Sequence, residues 1–97
     1  LQQSDTWLSN EVPKILASAG YQAGGALFIT WDEAEGRTGD PDRIPMIILS
    51  PNLKSAGMTS DVAYTHASYL ATIEDMLQLP RLDTVPNEPN MLEFFNP

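Results

Sequence analysis

The sequence predicts an α/β fold, and two observations carry that expectation. The runs ALFITW (26–31) and IPMIILSP (44–51) are apolar at almost every position. Strands of this kind are buried on both faces, as in a sheet covered by helices on each side. The stretches around them carry helical periodicity instead of alternation. Together these features argue for an α/β sandwich. Two such strands do not make a whole sheet. The chain is therefore expected to be a fragment, with the remaining strands upstream, and to be marginally stable when isolated.

Residues 4–20, SDTWLSNEVPKILASAG, read as helical. Ser4 or Asp5 supplies an N-cap, and Leu8, Val12, Ile15, Leu16 and Ala19 fall on one face. Pro13 cannot sit inside a helix without removing a hydrogen bond. The expectation is a short turn through Asn10, then a second helix with Pro13 in its first turn and Gly20 at its end. Gly24-Gly25 punctuates the entry to the first strand. AEGRTGDPDR (34–43) is a polar loop rich in Gly and Asp. Pro45 is tolerated at the start of the second strand. The loop is barely long enough for a parallel crossover, so the pairing direction stays open.

The clearest helix lies in TSDVAYTHASYLATIEDMLQLP (59–80). Thr65 is the expected N-cap, Pro80 the stop, and Tyr69, Leu70, Ile73, Met76 and Leu77 the buried stripe. Glu74-Asp75 then falls on a solvated face, with a helix-anchoring contact in the full domain open to Glu74. Residues 83–97 form an irregular, Pro-rich tail whose Met91, Leu92, Phe94 and Phe95 are expected to pin it to the body. No internal repeat or low-complexity segment is visible.

The 97 residues fit one small domain or a piece of a larger one, taken here as a single unit over 1–97. The formal charge is -8, with Lys14, Arg37, Arg43, Lys54 and Arg81 as the cations. Nucleic acid and anionic membranes need clustered Lys and Arg, so that balance argues against both as partners. No apolar run approaches the ~20 residues of a transmembrane segment. Without cysteine there is neither disulfide nor thiolate metal site. The chain begins at Leu1 in a polar run, which reads as a truncated or processed start.

Asp32-Glu33 is the chemically pointed feature. A core strand runs straight into two adjacent carboxylates, at the carboxyl end where open α/β sheets bind ligands. Neighbours on a strand point to opposite faces, so the pair can share one centre only if the chain turns there. Gly36 and Gly39 allow such a turn. Carboxylate oxygens are hard ligands that suit Mg, Mn or Ca and can also bind Zn. Two readings fit the residues: solvated acids opening a loop, or a fixed cation site. In a non-catalytic version, an acidic binding module, Asp32, Glu33 and Asp40 or Asp42 hold a weak Ca site. The D-x-D-x-D-G ladder of an EF-hand is absent.

Four blocks in order, DTWLSNEVPKILAS, GGALFITWDE, DRIPMIILSP and YTHASYLATIEDMLQLPRL, resemble the C-terminal third of the bacterial phosphoesterase family. That family includes acid phosphatases, phosphatidylinositol-3-phosphatase-like enzymes and phospholipases C of the alkaline phosphatase superfamily. The resemblance implies a three-layer α/β/α sandwich of alkaline phosphatase-like type, its sheet incomplete in this chain. It implies divalent-metal-dependent hydrolysis of a phosphate ester, with Asp32 and Glu33 among the metal ligands. A Ser or Thr nucleophile and a Glu-Asn ligand pair would lie upstream, so the fragment alone would be inactive. A secreted or periplasmic location is implied too. His66 matches the family's aromatic-x-His-x-Ser stretch, YTHAS here.

His66 therefore carries two readings, a contact near the metal or substrate, and a cap or packing residue at a helix start. Arg43 could pair with Asp32 or Glu33, steer phosphate, or be a solvated loop residue. Asp5 reads as a cap. Ser50-Pro51 and Ser68 lack a GxSxG context, so no serine triad is expected.

Overall fold

The computed structural model describes residues 1–34 and 43–97. They form a small mixed α/β structure with three α-helices and a two-stranded antiparallel sheet. The chain divides into two compact units, Leu1–Asn52 and Leu53–Pro97.

In the first unit, α1 (Gln2–Leu16) and α2 (Ala19–Gln22) precede β1 (Leu27–Thr30) and β2 (Met46–Leu49). The expected break before Pro13 is not there, since α1 runs through it. Proline removes one donor but keeps its acceptor, and the Pro13 carbonyl takes the Ala17 amide at 3.0 Å. The helix also starts earlier than expected. Leu1 is the N-cap and Asp5 lies in the first turn, where its charge complements the helix dipole. Gly20 does not end α1. The chain breaks at Ala17, and Ser18 caps α2 by accepting the Tyr21 amide. The face expected to be buried is only half-covered at Leu8, Val12 and Leu16, and Ile15 and Ala19 are exposed.

Two glycines turn the chain into β1. Gly24 has φ +104°, and a Cβ on Gly25 would lie 2.7 Å from the Gly20 carbonyl oxygen. Only glycine tolerates that approach without moving the backbone. The strands pair antiparallel, Leu27 with Leu49 through Thr30 with Met46, which settles the direction the sequence left open. Thr30 Oγ1 closes the ladder by donating to the Pro45 carbonyl at 2.8 Å. All four residues of β1 are half-buried, and Ile47 of β2 is exposed.

In the second unit, α3 (His66–Met76) starts where the sequence predicts. Thr65 is the N-cap and forms a reciprocal capping box with Ser68. Its end falls before Pro80. Gln78 adopts φ +56°, while the Gln78 amide bonds to the Asp75 carbonyl and the Leu79 amide to the Glu74 carbonyl. That is a Schellman stop with glutamine in the left-handed position.

The buried face of α3 differs from the expected stripe. Ser68, Ala71, Thr72 and Glu74 are buried, Tyr69, Leu70 and Ile73 are half-buried, and Leu77 is 64% exposed. The reason is that α3 packs against irregular chain whose backbone amides need acceptors. Thr72 Oγ1 accepts from the Met91 amide at 2.9 Å and donates to the Ser68 carbonyl at 2.7 Å. Ala71, Val85, Met91 and Phe95 form the apolar core of this unit. A bridge between Leu53 and Phe95 and the Lys54 amide on the Phe94 carbonyl join its two ends.

Candidate functional site

Asp32 and Glu33 stand just beyond the carboxyl end of β1, and both are exposed. The backbone bends at Asp32 itself, so the turn needed to bring adjacent carboxylates together begins there. Asp32 Oδ1 accepts from the Glu33 amide at 2.9 Å, which orients the carboxylate over that bend. Gly36, Gly39, Asp40 and Asp42 lie outside the described residues.

The antiparallel hairpin sets one more candidate at this end of the sheet. The start of β2 lies beside the end of β1, so exposed Arg43 is carried to the same end as Asp32 and Glu33. On one side of β1, an open groove of about 440 Å³ is lined by Gln3, Ser4, Trp7, Ile29, Thr30 and Trp31.

Among the described residues, no group of three or more His, Asp or Glu side chains is gathered closely enough to hold a metal ion. As hard oxygen donors on a bend, Asp32 and Glu33 fit part of a divalent-metal site. A complete set would need ligands from outside the described residues. No helix among those residues is long and apolar enough to cross a membrane.

His66 belongs to the second unit, where it is the exposed first residue of α3. The side-chain capping box there is made by Thr65 and Ser68. Ser68 is buried and committed to that box. Ser50 Oγ accepts from the Asn52 amide at 3.1 Å in a turn. Neither serine is presented as a nucleophile.

A model of the phosphoesterase family matches residues 1–80. The chain belongs to the phosphoesterase family. Searches of curated proteins and of solved structures gave no significant match. The phosphoesterase match takes in both strands, Asp32, Glu33, Arg43 and His66, and ends at Pro80.

The sequence puts Glu74-Asp75 on a solvated face with an anchoring contact open only to Glu74, whereas the structure builds a polar network on both. Glu74 is 5% exposed, and its Oε1 accepts from the Leu82 amide at 3.2 Å. Asp75 is gripped by Arg81 through Nε at 3.1 Å and a terminal nitrogen at 2.7 Å, and by Asn90 at 2.6 Å. The Arg81 and Asn90 hydrogen bonds hold the Asp75 carboxyl down at about 2. The other Arg81 terminal nitrogen donates to the carbonyls of Val85 and Glu88, so one guanidinium fixes the Pro-rich turn to the helix. Nearby, Tyr64 donates to Glu93 at 2.6 Å, and burial together with that carboxylate lifts the phenol to about 12. The available signal was an Arg placed six residues after an Asp, across the helix end and the proline that follows it.

Proposed function

We propose that this chain is the C-terminal segment of a catalytic domain that hydrolyses phosphate esters, and that Asp32 and Glu33 supply oxygen ligands to its divalent metal. The observation that carries the reading is the placement of the pair. Within a phosphoesterase-family match, two exposed acids stand at the carboxyl end of β1, with Arg43 at the same end of the sheet. A divalent metal bound there would lower the pKa of the attacking hydroxyl and screen the phosphoryl oxygens.

The residues of this chain have distinct tasks in that reading. Asp32, oriented by the Glu33 amide, and Glu33 hold the cation. Arg43 donates to the phosphoryl group and offsets its charge. His66 is a weaker candidate for contact with substrate. The nucleophile and the remaining ligands come from the rest of the domain, whose further strands would complete a three-layer α/β/α sandwich of alkaline phosphatase-like type. The exposed Trp7, Trp31 and Ile47 suit such an incomplete sheet, because full-length neighbours would cover them. A secreted or periplasmic setting accompanies this reading.

The test is substitution in the full-length protein that carries this segment. Asp32→Ala should lower turnover of an aryl phosphomonoester or phosphodiester at least 100-fold while the circular dichroism spectrum is unchanged. Turnover within a few-fold of wild type would remove Asp32 from the chemistry. Comparing the two esters assigns the substrate class.

A further inference from the structure

We draw no further inference here: the strongest candidate, the open groove between α1 and β1 with the exposed Trp7 and Trp31 on its lining, carries nothing because nothing in the structure shows what covers it.

Discussion

Replacing Thr72 with valine tests how the second unit is held together. Valine keeps the shape and branching of threonine and removes only the hydroxyl. The Met91 amide then loses its acceptor in a place where Met91 is 2% exposed and Thr72 fully buried. An unsatisfied buried donor costs about 1–3 kcal/mol. The added methyl returns up to about 0.8 kcal/mol of apolar burial. The net expectation is a loss of roughly 0.2–3 kcal/mol, centred on about 1–2 kcal/mol. For a chain of this size that central loss lowers the melting temperature by roughly 4–15 °C. Thr72→Ser keeps the hydroxyl and loses a methyl, so it is also destabilising, and stability alone does not separate the two variants. Amide exchange does. The Met91 amide should exchange faster in Thr72→Val and stay protected in Thr72→Ser. If valine leaves both the melt and the Met91 exchange rate unchanged, the hydroxyl does not anchor the tail and the account of the rotated helix face is wrong.

Three further outcomes follow from local geometry. Gln78→Gly relieves a left-handed residue at the end of α3 and should stabilise the chain by roughly 0.5–1 kcal/mol in urea unfolding. An unchanged midpoint would contradict that reading of the helix stop. Gly25→Ala drives a Cβ to 2.7 Å from the Gly20 carbonyl and should cost about 1–3 kcal/mol, measured the same way. For pH, the Asp75 carboxyl falls from its ordinary 3.8 to about 2 in the folded chain. A depressed carboxyl contributes stability that is whole above the unfolded value and is lost as pH falls through the folded one. Stability should therefore decline between about pH 4 and pH 2, and Asp75→Asn should flatten that limb in acid titrations followed by circular dichroism.

What was legible in the sequence was local. Thr65 could be read as an N-cap because the signal needs only the residues just after it. The two strands were legible as apolar runs, and Gly24-Gly25 as the turn before them. Pro13 misled, because proline statistics describe a cost of ~3 kcal/mol and not a prohibition. The burial of α3 misled for a different reason. Hydrophobic periodicity counts apolar residues, whereas the face that meets the tail is selected by acceptors for backbone amides, namely Thr72 for Met91 and Glu74 for Leu82. Arg81 with Asp75 was hidden for the same reason, since the pair closes across a turn no periodic pattern describes.

For the site, the position of Asp32 and Glu33 at a strand end was legible, and so was the family. The antiparallel pairing that puts Arg43 at the same end of the sheet was not, because loop length alone left the strand direction open. The sequence asks for a turn where the strand ends, and the chain bends at Asp32, whose carboxylate accepts the next amide; Gly36 and Gly39 lie outside the described residues.

The central claim is that Asp32 and Glu33 are metal ligands in a phosphoesterase domain. Its most direct test is the metal content per chain of the full-length protein, wild type against Asp32→Ala, after dialysis against metal-free buffer. The account predicts bound divalent metal in the wild type and a loss of most of it in the variant, with secondary structure intact. Equal metal content in the two proteins would contradict it.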